Sequence, residues 1–392
     1  MYVHDRIDSN ERFRERRRRA RRRRQIRRAL AGALVLGVVA GLAVGAAFIT
    51  HRGTVTLTDL AAGKLAARPH PSPLPTEVRG VHVTMALASV PGKMDEYLGL
   101  TSAGLNTIEL DVKDENGEVG FISRLDAPLA AEIGAAQAYY DPQQVARAVH
   151  ARGVYLIGRV VVFEDPKLGE KRPELAIRTT GGSVWRNNGG LAWTNQYDKR
   201  VWKYNVDIAA SAARAGFDEI QFDYVRFPSD GDISAISYPG RRAEPKSKTI
   251  ADFLAYAVRR LRPLGVRVSA DVFGLAATHD LGIGQAPRRI SQMLDALYPM
   301  VYPSHFAPGE YDISDPNADP GRTVAFALAD FRRQMRGTKA RMIPWLQDFS
   351  LGRTYTLDDL RAQILAAREA HTRGFMLWNA GGVYTKDALA AG

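Results

Sequence analysis

Short apolar runs alternate with amphipathic segments eight times along residues 79–392. The apolar runs predict strands at Gly80–Thr84, Asn106–Lys113, Val154–Phe163, Asp218–Val225, Val266–Phe273, Leu297–Tyr302, Met342–Gln347 and Gly374–Asn379. Between them, apolar side chains recur at helical spacing, as from Ile250 to Leu261. Eight β–α units imply parallel strands, and most simply an α/β fold that closes into a (β/α)8 TIM barrel. The alternative is a doubly wound open sheet, but no Gly-rich phosphate loop follows the first predicted strand.

Two Thr–Asp pairs at the spacing of a capping box predict where helices begin. In Thr249 with Asp252, and in Thr356 with Asp359, the hydroxyl stands three residues before the carboxylate. Each side chain can then accept a hydrogen bond from the other residue's backbone N–H. We therefore expect one helix to begin after Thr249 and another after Thr356.

Polar and apolar side chains alternate in three of the predicted strands. The polar faces carry Thr107, Glu109, Asp111 and Lys113 in strand two, Glu219, Gln221 and Asp223 in strand four, and Arg267, Ser269 and Asp271 in strand five. Because side chains alternate with period two, the apolar faces should meet the helices and the polar faces the barrel lumen. Charged groups in a lumen are costly unless they pair, so we expect these residues to pair or to take part in chemistry.

The active site of a TIM barrel lies at the C-terminal ends of its strands. The residues predicted there are Asp111, Lys113, Asp114, Arg159, Asp223, Arg226, Asp271, Tyr302, His305, Gln347, Asp348, Trp378 and Asn379. The eight histidines form no HExxH motif and no GxSxG elbow occurs, which argues against a His-ligated metal hydrolase and a serine hydrolase. Paired carboxylates with aromatic neighbours fit glycosidic-bond hydrolysis, in which one acid protonates the leaving oxygen and the other attacks or activates water. We expect no metal and no cofactor.

A long connection from Glu164 to Arg200 is rich in Trp, Gly, Asn and Thr. Loops of this length are commonly functional. Its aromatic residues Trp185, Trp193 and Tyr197 either form a platform for sugar rings or anchor the loop by packing.

Four runs of sequence carry a family resemblance: LNTIELDVKDENGEVGF (105–121), GRVVVFEDP (158–166), RPELAI (172–177) and GFDEIQFDYVRFP (216–228). They resemble a bacterial family of proposed glycosyl hydrolases, long labelled a domain of unknown function, over about residues 79–390. The resemblance implies a TIM barrel distantly related to the α-amylase-like barrels, and a carbohydrate substrate. By that more distant likeness, the amylase nucleophile on strand four falls on Asp223. Two positions depart from the amylase pattern, since Gln221 stands in place of an arginine and Asp271 in place of the strand-five glutamate.

Asp223 and Asp271 are the predicted catalytic pair. Both have lumen-facing parity, and they end neighbouring strands, which lie about 4.8 Å apart. Carboxyl groups so placed suit the roughly 5–5.5 Å separation of retaining enzymes, with Asp223 as nucleophile and Asp271 as acid and base. The alternatives are a salt bridge between Asp223 and Arg226, and a hydrogen bond that Asp271 accepts from Arg159 or Lys113.

Nine further residues are predicted to bind substrate: Asp111, Lys113, Arg159, Arg226, Tyr302, His305, Gln347, Trp378 and Asn379. Asp111 and Lys113 either orient the substrate or form an ion pair in the lumen. Arg159 is expected to hold a carboxylate in its ionised state. Tyr302 and Trp378 either form the floor of a sugar subsite or belong to the core.

The net charge of +12 is concentrated at the N-terminus, where residues 1–28 hold 13 Arg against four acids and so carry +9 of it. The rest of the chain is nearly neutral, which excludes a nucleic-acid binder. Next, Ala29–Ile49 holds 21 residues without a charge, enough for a helix of about 30 Å that spans a bilayer. The positive-inside rule then places the tail in the cytoplasm and the barrel outside. A cleaved signal peptide is the alternative, although its apolar region is usually only about 7–15 residues.

We therefore expect an Arg-rich cytoplasmic tail (1–28), a transmembrane helix (29–49), a Pro-rich linker (50–78) and a glycoside-hydrolase-like barrel (79–392). The leading hypothesis is a membrane-anchored, extracytoplasmic glycoside hydrolase that acts on an envelope or extracellular polysaccharide. The alternatives are a barrel that binds a glycan without turnover, and a non-glycosidic hydrolase such as a deacetylase. The absence of Cys excludes disulfides and a cysteine nucleophile. The oligomeric state stays open.

Overall fold

The computed structural model describes residues 73–241 and 244–390, in which parallel strands occupy eight positions around a closed barrel. In chain order the strands are β1 (Val78–Val83), β2 (Thr107–Lys113), β3 (Tyr155–Val161), β4 (Arg178–Thr179), β5 (Glu219–Asp223), β6 (Ile236–Ser237), β7 (Arg267–Phe273), β8 (Ala296–Met300), β9 (Arg341–Met342), β10 (Trp345–Gln347) and β11 (Gly374–Trp378). Strands β4 and β6 form a separate antiparallel pair, and the others build the barrel, which the pairing of β11 with β1 closes. The predicted α/β TIM barrel is confirmed.

The seventh strand position of the barrel is divided into β9 and β10 by Ile343 and Pro344. Pro344 has no backbone N–H to donate, but its carbonyl still accepts a hydrogen bond from Met376 N at 2.9 Å. Strand β8 pairs with β9 and, through Met300 and Trp345, with β10. The barrel therefore stays closed across the break, and the Trp345 side chain packs inside the lumen.

Helices connect the strands and cover the outside of the barrel. Those of the described residues are α1 (Met85–Ala88), α2 (Lys93–Gly99), α3 (Pro128–Glu132), α4 (Pro142–Ala151), α5 (Pro166–Lys171), α6 (Lys199–Ala215), α7 (Lys246–Leu261), α8 (Pro287–Ile290), α9 (Pro320–Gln334), α10 (Leu357–Glu369) and α11 (Lys386–Leu389). The predicted capping box of Thr356 and Asp359 begins α10. The other predicted start is wrong: Thr249 lies inside α7, because Pro245, whose fixed φ suits a helix start, sets the first turn earlier.

Two apolar cores lie on the two sides of the barrel wall. The outer core joins strands to helices and contains the predicted outward faces of β2 and β5, such as Ile108 and Phe222. The inner core includes a floor at the N-terminal end of the lumen, formed by Leu74, Val78, Tyr155, Ala296 and Ile343. Toward the other end the lumen is polar and holds Glu109, Asp111, Arg159, Gln221 and Asp271, all buried. This polar layer positions the candidate site.

The long connection after β3 is anchored by its aromatic residues. Trp185, Trp193 and Tyr197 are 2%, 1% and 9% exposed, respectively. Trp185 also donates a hydrogen bond from Nε1 to the Asp232 carbonyl at 2.8 Å. Of the two predicted alternatives, the structure therefore shows anchors rather than a platform for sugar rings.

The predicted N-terminal segments fall mostly outside the described residues. This holds for the tail (1–28), the membrane helix (29–49) and the linker up to residue 72. Leu74 and Val78, at the end of the predicted linker, are buried in the barrel floor. Within residues 73–241 and 244–390, no helix combines the length and apolar character needed to cross a bilayer.

Candidate active site

Arg159 joins two aspartates from the strands on either side of it. It lies on β3, between β2 and β5. Its Nη1 donates to Asp111 Oδ1 at 2.7 Å, while Nε and Nη2 donate to Asp223 Oδ2 at 3.0 and 2.7 Å. All three residues are buried, and Asp223, at 8%, is the most exposed of them. Charge-assisted bonds of this kind are strong, so Arg159 fixes both carboxylates and supplies them with a positive charge.

A strained residue follows Asp223. Tyr224 has a φ of 50°, in the left-handed region that bulky residues rarely adopt. Its backbone N–H donates to Asp223 Oδ1 at 2.6 Å, so both oxygens of this carboxylate accept hydrogen bonds. Backbone strain of this kind concentrates at functional sites.

Asp271 lies on β7, which neighbours β5 and Asp223. Its Oδ1 accepts hydrogen bonds from Gln221 Nε2 and from Trp345 Nε1, both at 2.6 Å. These partners are neither of the two that the sequence offered as alternatives. Burial, followed by the negative charges of Asp223 and Glu109, raises the pKa of Asp271 well above its usual value. The raised pKa favours the protonated form of Asp271.

His82, on β1, belongs to the same cluster and is absent from the predicted set. Its Nδ1 lies 2.5 Å from Glu109 Oε2, and its Nε2 lies 3.6 Å from Asp111 Oδ2. Burial lowers the pKa of His82, but the charges of Asp111 and Glu109 and its hydrogen bonds outweigh burial and raise it to about 9. Burial likewise opposes the ionised form of Asp111, yet His82 and Arg159 lower the pKa of that aspartate to about 2. His82 is thus an imidazolium that, with Arg159, balances the buried carboxylates.

Trp378 packs against both cations of the cluster. The centroid of its ring system lies 4.6 Å from that of His82, and the guanidinium carbon of Arg159 lies 5.8 Å from it. Trp345 meets it edge-on at 5.8 Å. Trp378 is partly exposed, so one part of the ring faces the cluster while another is open to solvent.

Tyr302 follows β8, which pairs with β7, the strand that carries Asp271. Burial, followed by the charges of Asp271 and Asp223, raises the pKa of Tyr302 well above its usual value. Its ring packs edge-on against His305 and Phe349, at centroid distances of 5.4 and 5.7 Å. The site is thus bordered by aromatic rings from two directions.

The arrangement brings an acid with a raised pKa, Asp271, beside an arginine-bound carboxylate, Asp223. These are the two groups that glycosidic-bond hydrolysis with a covalent intermediate requires. Within the described ranges, no group of three or more His, Asp or Glu side chains is arranged to hold a metal ion.

The family model described as "Putative glycosyl hydrolase domain" matches residues 80–384. The chain belongs to this family. The predicted family resemblance is confirmed, and the match runs from within β1 to beyond β11. No curated protein matches the chain.

The chain is similar to several solved structures. A hypothetical protein from Ruminiclostridium thermocellum ATCC 27405 is 37% identical, with a TM-score of 0.44, over 49% of this chain and 97% of that one. The glycoside hydrolase domain of PgaB (BpsB) from Bordetella bronchiseptica has a TM-score of 0.56 at 15% identity, over 80% of this chain and 95% of that one. The catalytic domain of a β-amylase from Paenibacillus polymyxa has a TM-score of 0.50 at 13% identity, over the same shares of the two chains. The PgaB and β-amylase likenesses show the fold.

In this glycosyl-hydrolase-like barrel, Lys113 lies away from the acidic cluster. The register between β2 and β3 shifts between Asp111 and Lys113, which breaks the period-two alternation. The Lys113 ammonium is fully buried 2.8 Å from Asp165 Oδ2, and it donates to the Val161 carbonyl at 2.6 Å and to Asn205 Oδ1 at 3.1 Å. The predicted pairing of Lys113 with Asp111 is therefore wrong, and the structure gives Lys113 no access to a substrate.

Arg226 is stacked among aromatic rings. Its guanidinium carbon lies 5.0 Å from the ring centre of Trp193 and 4.5 Å from that of Phe273. The predicted alternative, a salt bridge to Asp223, is not what the structure shows, because Asp223 pairs with Arg159. Arg226 instead fastens the segment after β5 to the long connection.

Three other predicted residues fix loops at the rim of the site. Gln347 is fully buried. Its Oε1 accepts a hydrogen bond from Ser304 N at 3.0 Å, and its Nε2 donates to the Phe349 carbonyl at 3.0 Å. Asn379 Nδ2 donates to the Asp348 carbonyl at 2.5 Å, and His305 Nδ1 lies 3.1 Å from Ser304 Oγ. Their predicted contacts with substrate stay predictions.

Proposed function

We propose that this protein hydrolyses glycosidic bonds of a polysaccharide, with Asp271 as proton donor and Asp223 as nucleophile. One observation carries the proposal: a buried carboxylic acid with a raised pKa lies beside a carboxylate bound by Arg159. Both lie toward the C-terminal face, where TIM-barrel enzymes place their chemistry. Membership of the glycosyl hydrolase family supports the class of reaction.

In the first step, Asp271 gives its proton to the glycosidic oxygen while the bond from that oxygen to the anomeric carbon breaks. An oxygen of Asp223 forms a bond to the same carbon from the opposite face, which gives a glycosyl ester and a free alcohol. In the second step, water attacks the anomeric carbon, Asp271 takes one of its protons, and Asp223 leaves as a carboxylate. The two inversions give net retention.

The electrostatic coupling of the two aspartates suits this cycle. The charge of Asp223 is one cause of the raised pKa of Asp271. Formation of the ester removes that charge, so Asp271 releases its proton more readily in the intermediate than in the free enzyme. The acid of the first step thereby becomes the base of the second.

We further propose that residues 29–49 anchor the barrel outside the cytoplasm, where it reaches an envelope or extracellular polysaccharide. The support is the charge pattern, since 13 Arg within residues 1–28 precede the uncharged segment. Protease added to intact cells or spheroplasts should digest the barrel and spare the tail. A barrel that resists protease until the membrane is lysed would contradict this location.

The reaction is tested by incubating the protein with a panel of polysaccharides and detecting new reducing ends by mass spectrometry. Asp223→Asn and Asp271→Asn should each lower turnover by about 10²–10⁴-fold or more while the fold is retained. Asp271→Asn should be most damaging for substrates with poor leaving groups, because these need protonation. Asp358→Asn, an exposed aspartate on α10, is the matched control and should leave turnover unchanged.

Product stereochemistry by NMR tests the retaining route once a substrate is found. Inversion at the anomeric carbon, or near-normal turnover in folded Asp223→Asn protein, would contradict the assignment of Asp223. Tight glycan binding without turnover would instead favour the non-catalytic barrel. Activity that depends on an added divalent metal would favour a non-glycosidic hydrolase.

A further inference from the structure

A basic groove of about 880 Å³ lies at the end of the barrel opposite the candidate active site. It is lined by residues at the C-terminal ends of α9 and α10 and by residues that lead into β9 and β11. Its cationic side chains are Arg332, Arg333, Arg336, Lys339, Arg341 and Arg373. Glu369 is the one carboxylate among the lining residues, so the groove carries a strong positive charge.

Most of these cations have no acidic partner among the residues that the structure describes. Arg333 pairs with Asp330, but the ion pairs of residues 73–241 and 244–390 include none for the other five groove cations. The dipoles of α9 and α10 favour cations in their last turns, which accounts for Arg332 and Arg333. They do not account for Lys339, Arg341 and Arg373, which lie outside both helices. A concentration of exposed, unpaired cations indicates a surface that meets anions.

The groove lies beside the point at which the chain enters the barrel. Val78 N, at the start of β1, donates to the carbonyl of Arg373 at 2.8 Å. Leu74, just before it, is buried in the barrel floor. The segment that comes from the predicted membrane helix therefore reaches the barrel at this end, while the acidic cluster lies toward the other.

We propose that the basic groove binds the headgroups of anionic phospholipids, and that it thereby holds the barrel on the membrane with its active site facing away. The inference rests on the proposed anchoring by residues 29–49. Charge complementarity supports lipid as the occupant, because anionic headgroups attract Lys and Arg within a Debye length of the surface. The entry of the chain at this end supports it too, because the tether keeps this face nearest the bilayer.

The test uses the full chain inserted in nanodiscs of phosphatidylcholine, alone or with phosphatidylglycerol, both containing a lipid with a nitroxide on its headgroup. The chain has no native Cys, so a single cysteine carries the fluorophore. Ala329→Cys places it in the groove, and Val383→Cys places it in the exposed loop after the C-terminal end of β11. We expect quenching of the Ala329→Cys label with phosphatidylglycerol and its loss at high salt. The Val383→Cys label should stay unquenched in both lipids.

Charge-reversed variants separate the groove from the net charge. Arg336→Glu, Arg341→Glu and Arg373→Glu together, in the Ala329→Cys protein, should abolish the quenching. The matched control reverses Arg124, Arg147 and Arg322, three exposed arginines that do not line the groove, with the same change in net charge. This control should quench like the parent.

The inference would be overturned by no quenching in phosphatidylglycerol, by equal loss in both charge-reversed variants, or by quenching of the Val383→Cys label instead. Dextran sulfate tests whether the groove binds a soluble polyanion instead. If this polymer fully abolishes the quenching in nanodiscs and the protein binds it equally well without lipid, the groove belongs to a soluble polyanion and the lipid assignment is overturned. Failure of the chain to enter neutral nanodiscs would contradict the anchor, and with it the inference. None of these readouts requires turnover, so they are distinguishable from a failure of the proposed hydrolase activity.

Discussion

The protonation of Asp271 depends on its location more than on its hydrogen-bond partners. Burial and the charges of Asp223 and Glu109 raise its pKa, whereas the hydrogen bond from Trp345 lowers it, because the indole N–H favours the charged form. Because the hydrogen bond from Trp345 opposes burial, its removal should raise the pKa of Asp271 further.

Trp345→Phe should raise the pKa of Asp271 further, since it removes the N–H donor and keeps an aromatic ring in the lumen. In the proposed reaction the free enzyme needs Asp271 protonated, so activity should fall as the pH rises through this pKa. The alkaline limb of the kcat/KM profile should therefore move to higher pH. Trp202→Phe, on α6, is the control and should leave the limb in place. A limb that moves to lower pH would contradict the assignment of Asp271 as the acid.

His82 should make stability dependent on pH. Its folded-state pKa of about 9 lies above the ordinary value of 6.5, so its contribution is complete below pH 6.5 and is lost as the pH rises through 9. His82→Gln should lower the free energy of unfolding by on the order of 3 kcal/mol at pH 6, and by much less at pH 10. Urea unfolding at both pH values measures this, with exposed His371→Gln as control. An equal loss at both values would mean that packing, not charge, explains the effect.

Among the elements, the strand faces were predictable because period-two alternation is fixed by strand geometry. The alternation in β5 and β7 predicted that Asp223 and Asp271 share the lumen, and the structure places them there. The same rule applied to β1 would have found His82, since Val81 and Val83 on either side of it belong to the outer core. The signal for His82 is therefore present in the sequence.

Two features had no local signal. The register shift in β2 depends on how β2 pairs with β3, and one shifted residue moves Lys113 to the other face. The contact of Trp345 with Asp271 joins β10 to β7, strands that are not neighbours, across the lumen. Such pairings arise from closure of the barrel and leave no periodic pattern in the sequence.

The ion pair of Lys113 with Asp165 should stabilise the connection between β2 and α5. Lys113→Met leaves a buried carboxylate without its cation, so the free energy of unfolding should fall by about 3–5 kcal/mol. Activity per folded molecule should be unchanged. Lys203→Met, which removes an exposed ion pair on α6, should cost about 0.5 kcal/mol or less. Lost activity at unchanged stability, measured by urea unfolding and kinetics, would restore the substrate-binding role predicted from the sequence.

For the whole molecule, the barrel floor sets where an independent domain begins. All eight strand positions of the barrel and both apolar cores lie within the described residues, so a fragment of residues 73–392 should unfold cooperatively. A fragment of residues 79–392 lacks Leu74 and Val78 and should be less stable by about 3–6 kcal/mol, since burial of each of these two side chains contributes about 1.5–3 kcal/mol. Thermal unfolding of the two fragments compares them. Equal stability would mean that the floor does not need these residues.

The pairing of β1 with β11 also determines when the barrel can form. It joins residues 78–81 to residues 374–377, so the ring stays open until almost the whole chain has been made. Contacts this distant in sequence form slowly, and until then β1 and the growing end of the sheet present unpaired edges. If residues 29–49 anchor the barrel outside the cytoplasm, as proposed above, the chain must cross the membrane before this sheet can close. Folding of the barrel would then follow translocation, and the incomplete sheet would be the species most exposed to aggregation and to proteases during biogenesis.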